Sequence, residues 1–212
     1  MSSLASDWQL RVSLCGDANV GKTSLFLRFS KEDECTEREI THETKKERTV
    51  GSDDSTKSFL VGRKSLRVTL HDTAGQELHQ RSLTGSVYRR AQAILFVCAV
   101  DDDESLISLS NWLRDAKNYN SDARYYVIAN KIDLQASDEE DESFISDQML
   151  DDFVETHHSD YPICRVFRTS ALKNTNVKEM FDTIVTELAD AAVPKAISLP
   201  IDINTKQGKC CN

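Results

Sequence analysis

Eight consecutive residues, Gly16-Asp17-Ala18-Asn19-Val20-Gly21-Lys22-Thr23, constrain this chain more than any other stretch. They follow an apolar run, Leu10, Val12 and Leu14, and lead into Ser24-Leu25-Phe26-Leu27-Arg28-Phe29, whose apolar spacing suits a helix. The order is strand, glycine-rich loop, helix, and the loop matches G-x-x-x-x-G-K-[ST]. Gly16 and Gly21 let the backbone turn tightly and bring its N–H groups against phosphate oxygens, where the positive end of the following helix also favours negative charge. Asp17, Ala18, Asn19 and Val20 fill the cradle between the glycines, and Ser24 closes it. Lys22 reaches the outer phosphates as a compact charge, and the Thr23 hydroxyl completes the shell of a Mg²⁺ held mostly by phosphate and water. At average residue usage the four fixed positions coincide in roughly one chain of this length in a hundred. An ordinary glycine turn is therefore the weaker reading.

The 212 residues suit one α/β domain plus a tail, enough to bury a sound core. A net charge of −9 argues against a nucleic-acid partner, which needs a basic surface. No run of eighteen apolar residues exists, and Met1 to Asp7 lacks the basic and apolar regions of a signal peptide. The expectation is a cytosolic protein. Cys15 and Cys98 sit in or beside apolar runs, and Cys35 and Cys164 have no metal-ligand spacing, so reduced thiols are expected.

Gln9 to Leu14 reads as the first strand. Ser30 to Lys46 is crowded with charge and carries no apolar period, which predicts a long mobile loop. Lys57 to Val61 and Ser65 to His71, joined by Gly62-Arg63-Lys64, form a hairpin-like strand pair that ends at Asp72-Thr73-Ala74-Gly75-Gln76. Ala93 to Val100 is uniformly apolar, as expected of a central strand buried on both faces. Asp101-Asp102-Asp103-Glu104 then opens an amphipathic helix with its acidic end favourably at the N-terminus. Arg124 to Ala129 is the next strand and delivers Asn130-Lys131-Ile132-Asp133. Ser137 to Asp147 reads as an acidic surface loop, Phe153 stands in a helix, and Ile163 to Phe167 is a strand leading to Thr169-Ser170-Ala171. Val177, Met180, Phe181, Ile184, Val185 and Leu188 mark one face of a last helix. Alternating strands and helices predict a doubly wound, mainly parallel six-stranded sheet with helices on both faces, whose ligands lie beyond the carboxyl ends of the strands. The four unusual motifs all fall at that edge.

With these motifs in this order, the chain resembles a small GTPase of the Ras superfamily, and the Rab branch most. The resemblance covers about residues 8 to 190 as the GTPase domain and again the last few; residues 1–7 are then a short extension and 191–212 a flexible tail. It implies that Asn130 and Asp133 read the base. A carboxylate accepts two hydrogen bonds from N1–H and the exocyclic amine of guanine, which adenine cannot supply. Lys131 then packs its stem over the base plane, and Ser170, Ala171 and Leu172 bring backbone N–H groups to the guanine carbonyl, although relatives carry Lys where this chain has Leu172. The resemblance further implies that Asp72 holds Mg²⁺ through water, Gly75 offers its N–H to the γ-phosphate, and Gln76 orients the attacking water. Lys22, Thr49, Gly75 and Gln76 are thus the catalytic set, Thr23, Thr49 and Asp72 the magnesium set, and GTP or GDP the bound nucleotide.

Thr49-Val50-Gly51 resembles the first switch of Rab proteins. Thr41 competes for the role of Thr49, lying 18 positions after Thr23, near the family's usual separation, against 26 for Thr49. Thr49 is preferred because Thr-Val-Gly matches the Rab pattern and counting 23 places back from Asp72 lands on it. The consequence is an insertion of about eight residues within Glu34 to Arg48. Relatives place an aromatic against the guanine edge where this chain has Glu34, so nucleotide release is expected to be faster than theirs. The effector face departs too: Asp54 and His71 stand where aromatics are usual, and Val87-Tyr88 replaces a Tyr pair, which predicts poor binding to partners that recognise the usual patch.

Cys210-Cys211 near the C-terminus resembles the dual prenylation signal of Rab proteins, and two lipids give durable membrane attachment. The resemblance implies a slow GTPase used as a switch in vesicle traffic on the cytosolic face of intracellular membranes. Its partners are then an exchange factor, a GTPase-activating protein, effectors, a GDP-dissociation inhibitor and the prenylation machinery. The alternative is a nucleotide-locked, membrane-tethered scaffold that no longer cycles.

Overall fold

A computed structural model describes residues 8–31, 34–44, 52–73, 85, 87–137 and 144–191. Its strands are β1 (Trp8–Cys15), β2 (Ser52–Val61), β3 (Lys64–Thr73), β4 (Ala93–Ala99), β5 (Arg124–Asn130) and β6 (Ile163–Arg168). Its helices are α1 (Lys22–Lys31), α2 (Glu37–Thr44), α3 (Asp103–Tyr119), α4 (Asp147–His157) and α5 (Val177–Ala191), with a 3₁₀ segment at Ile132–Ser137. One six-stranded sheet runs β2-β3-β1-β4-β5-β6, antiparallel only where β2 meets β3.

Strand β4 explains its own apolar run. Ala93, Leu95, Val97 and Ala99 face one core with Leu25, Phe29, Met180 and Ile184 of α1 and α5, while Ile94, Phe96 and Cys98 face a second core with Leu109, Trp112 and Leu113 of α3 and Phe153 of α4. Both faces being covered, alternation has no reason to appear. Each buried Leu, Ile or Phe contributes about 1.5–3 kcal/mol relative to exposure. Burial also pushes the Cys98 thiol up to about 12, which keeps it protonated and inert.

The α3 N-terminus uses its acidic run residue by residue. Asp102 is the N-cap, its carboxylate accepting from the Ser105 N–H at 3.2 Å, and Asp103 and Glu104 occupy the first turn. The hairpin strands are longer than expected and the turn shorter, since Val61 pairs with Lys64 around Gly62, whose φ of +60° suits a tight two-residue turn.

Ser30 to Lys46 corrects the expectation of a loop. Helix α1 continues to Lys31, and α2 forms within the stretch. Thr36 and Glu39 make a reciprocal cap: the Thr36 N–H donates to Glu39 Oε2 at 2.9 Å and the Glu39 N–H donates to Thr36 Oγ1 at 3.3 Å. Cys35 and Ile40 are buried at its base, and Lys31 pairs with Glu39 at 2.7 Å. The Lys31 ammonium, then the Thr36 N–H, hold the Glu39 carboxyl down at about 2. A carboxyl held below its ordinary 4.5 contributes in full above that pH and loses its contribution as pH falls towards about 2. Amide exchange in residues 40–44, corrected for intrinsic rate, should therefore rise on acidification through this window. In Glu39→Gln it should already be raised at neutral pH.

Candidate functional site

The parallel strands β1, β3, β5 and β6 all deliver their carboxyl ends to one edge, and the loops there fit closely. Gly16 has φ +139°, and a Cβ on it would lie 2.2 Å from the Val97 carbonyl oxygen, a backbone atom that cannot yield. Gly21 has φ +98°, and its Cβ would lie 2.2 Å from Asn130 Nδ2. The glycine-rich loop is thus pressed between β4 and Asn130 at the end of β5, and only glycine permits the approach.

Lys22 is buried, and its ammonium donates to the carbonyls of Gly16 at 2.9 Å and Asp17 at 2.7 Å, so it arches over the loop it belongs to. Val20 and Ser24 are buried, Ala18 is half-buried and Asn19 is exposed with φ +66°. The Asp17 side chain turns away towards α3, accepting from Trp112 Nε1 at 2.8 Å and from the Ser108 hydroxyl. It anchors the loop to the second core.

Thr23 Oγ1 donates to Asp72 Oδ2 at 2.7 Å, and Asp72 is fully buried at the end of β3. Next to it, Thr73 donates to the Leu14 carbonyl at 2.7 Å, which locks β3 to the root of the phosphate loop. A hydroxyl and a carboxylate side by side are hard oxygen donors of the kind that Mg²⁺ takes when phosphate and water fill its remaining positions. These residues fit the metal.

At the other end of the edge, Asn130 ties three segments together. Its Nδ2 donates to the Val20 carbonyl at 3.0 Å, while its Oδ1 accepts from Thr169 Oγ1 at 3.2 Å and from the Ala171 N–H at 3.1 Å. Lys131 has φ +69°, and its ammonium pairs with Asp101 at 3.0 Å. The half-buried Asp133 accepts from the Ser170 hydroxyl. The Ser170 N–H itself donates to the Thr175 carbonyl at 3.1 Å, so this residue positions Asp133 through its side chain. The N–H of Leu172 has no acceptor among the described residues.

A model of the Ras family matches residues 11–190. The chain belongs to the Ras family. It is a small GTPase, an enzyme that hydrolyses GTP, and a divergent, Rab-like one. It is 30% identical over 187 residues to the GTP-binding protein ypt3 of Schizosaccharomyces pombe, covering 86% of this chain and 77% of that protein. It is 29% identical over 196 residues to the Ras-related protein Rab11C of Lotus japonicus, covering 91% of this chain and 81% of that protein.

Several expected site residues of this GTPase lie outside the described residues: Thr49, Gly75, Gln76, Cys210 and Cys211. Thr41, the rival of Thr49, lies in α2, where its hydroxyl donates to the Glu37 carbonyl at 2.8 Å one turn back. That is the bond of a helix-interior threonine. Glu34 is exposed and Cys35 buried, so an exposed carboxylate stands where the resemblance leads one to expect an aromatic.

The departures at 54 and 71 are one feature. Asp54 and His71 are register partners across β2 and β3, and His71 Nδ1 pairs with Asp54 Oδ1. A polar pair occupies the place where the resemblance leads one to expect aromatics. Tyr88 is buried, its ring stacked with Tyr119.

Two residues with clear positional roles escaped the motif reading. Arg28 is buried on α1 between Leu25 and Phe29, and a charge on an otherwise apolar helical face was its signal. Asp101 belongs to an acidic run that reads as a helix terminus, and nothing in the sequence separates it from Asp102 and Asp103.

Proposed function

We propose that this GTPase binds GTP and GDP with Mg²⁺ and acts as a membrane-attached switch in intracellular vesicle traffic. The observation that carries the nucleotide site is Asn130: one buried amide joins the phosphate loop at Val20 to the base-reading loop at Thr169 and Ala171. Phosphates then lie against Gly16 to Thr23 and the base against Asp133, with the two ends held in one rigid frame. Thr23 and Thr49, with Asp72 acting through water, would hold Mg²⁺, which when bound would supply neutralising charge at the outer phosphates. Lys22 adds a second positive charge there, Gly75 donates its N–H to the γ-phosphate, and Gln76 orients the attacking water. Loss of that phosphate releases the segments around Thr49 and Gln76, and partners read the difference.

Lipid on Cys210 and Cys211 supports attachment to the cytosolic face of membranes; no helix among the described residues is long and apolar enough to cross one. Exchange factors, activating proteins, effectors, a GDP-dissociation inhibitor and the prenylation machinery are the partners this reading requires.

The decisive experiment measures phosphate release from GTP and from ATP by the purified chain with Mg²⁺. Release from GTP alone is expected, and Gln76→Leu is expected to slow it at least about tenfold. Equal, near-zero rates in both proteins would leave only a nucleotide-locked scaffold. Failure to distinguish GTP from ATP would overturn the reading itself.

A further inference from the structure

Arg28 is 6% exposed, in a position where an ammonium or guanidinium is rarely tolerated without partners. Its donors are satisfied by main-chain carbonyls from two separate segments. Nε donates to the Ala171 carbonyl at 2.7 Å, Nη2 to the Leu172 carbonyl at 2.7 Å, and Nη1 to the Cys35 carbonyl. Helix α1 lends the side chain rigidity because Leu25, Phe26 and Phe29 beside it are buried in the first core. A planar fork of fixed donors reaching several carbonyls is something lysine cannot reproduce.

The Ala171 carbonyl belongs to the peptide that carries the Leu172 N–H, and the Leu172 carbonyl to the peptide that carries the Lys173 N–H, which donates to Ser170 Oγ at 2.9 Å. The Ala171 N–H already points to Asn130 Oδ1, and the Leu172 N–H has no acceptor among the described residues. Fixing a carbonyl fixes the plane of its peptide and with it the N–H of the following residue. The third bond runs to Cys35, at the entrance to α2, and on the surface Lys173 pairs with Glu37 of α2 at 3.1 Å. The inserted helix and the base loop are therefore fastened to each other twice, once in the core and once outside.

We propose that Arg28 is a positioning residue for the purine base: by holding the Ala171 carbonyl it orients the Leu172 N–H towards the base carbonyl and couples that orientation to the seating of α2. The proposal rests on the guanine-nucleotide reading above. It assigns the first-switch insertion a task, which is to hold the base loop where the resemblance leads one to expect an aromatic and this chain has Glu34. Any partner that lifts α2 then loosens the base without touching it.

The test compares release of GDP with release of 2-aminopurine ribonucleoside diphosphate, a base that keeps the amine and lacks both the carbonyl and the N1–H, each nucleotide being compared between variant and wild type. In the full-length Arg28→Lys chain, GDP release should accelerate by about tenfold, and release of the analogue should change less than about twofold. Equal acceleration of both nucleotides would reduce Arg28 to a general structural role, and no acceleration would overturn the proposal outright. Should Arg28→Lys fail to fold, Lys173→Ala keeps the question open to measurement, because that side chain is exposed. It should accelerate GDP release about twofold and leave the analogue unchanged; equal rates for wild type and Lys173→Ala with both nucleotides would then overturn the coupling to α2. A wild-type chain that retains GDP no better than ADP would instead overturn the guanine reading, a result seen before any variant is made.

Discussion

Asp133→Asn is expected to lower affinity for GDP by on the order of a thousandfold and to create affinity for xanthosine diphosphate. The carboxylate of Asp133 presents two acceptors, and the Ser170 hydroxyl donating to Oδ1 holds it in place. Guanine offers two donors on the matching edge, N1–H and the amine. An asparagine amide meets the same edge with one acceptor and one NH₂ group, so two donors confront each other and a buried polar group goes unpaired. Xanthine carries a carbonyl where guanine has its amine, and that carbonyl accepts from the new NH₂. Displacement of a fluorescent GDP by each nucleotide checks both halves. A variant that keeps its preference for guanine would show that Asp133 does not face the base edge. Ser170→Ala should weaken GDP binding about tenfold without changing which base is preferred, because it frees the carboxylate without altering its chemistry.

The sequence made the phosphate loop legible because its chemistry leaves so little freedom. Gly16 and Gly21 stand where any Cβ would meet a carbonyl or an amide at 2.2 Å, and Lys22 has one loop to arch over. The strands were legible for a related reason. Ala93 to Ala99 needs two covered faces, and the spacing of Val177 to Leu188 needs one, so the doubly wound sheet follows from them.

Helix α2 was not legible from hydrophobic periodicity. Its eight residues are too few to be stable alone, and Ile40 is its one buried apolar residue. What holds it is tertiary: Arg28 at Cys35, Lys31 at Glu39 and Lys173 at Glu37. The local signal was the capping pair Thr36 and Glu39, three residues apart, inside a stretch whose charge masked it. Asp17 shows the same limit differently. The motif accounts for its backbone, but its side chain answers to Trp112 and Ser108, about ninety residues away in sequence, and no local pattern encodes that pairing.

The other large effect should come from Asn130→Ala. Truncation leaves the Val20 carbonyl, the Thr169 hydroxyl and the Ala171 N–H buried without the amide that satisfies all three. At about 1 kcal/mol for each lost bond, and more where a group stays dry and unpaired, the variant should be less stable by about 3 kcal/mol. Thr169→Val removes only one of these bonds and should lose about 1 kcal/mol. The two variants differ in what they do to the ligand as well. Asn130 is the amide against which Gly21 packs with no room for a Cβ, so its loss slackens the phosphate loop and the base loop together, whereas Thr169→Val leaves the link from Val20 to Ala171 whole. Urea unfolding with and without saturating GDP separates the terms. In Asn130→Ala both the midpoint without ligand and the increment added by GDP should shrink, since the increment reports affinity. A normal GDP increment in that variant would mean that the two loops keep their places independently, and that the bonds through Asn130 stabilise the fold without organising the nucleotide site.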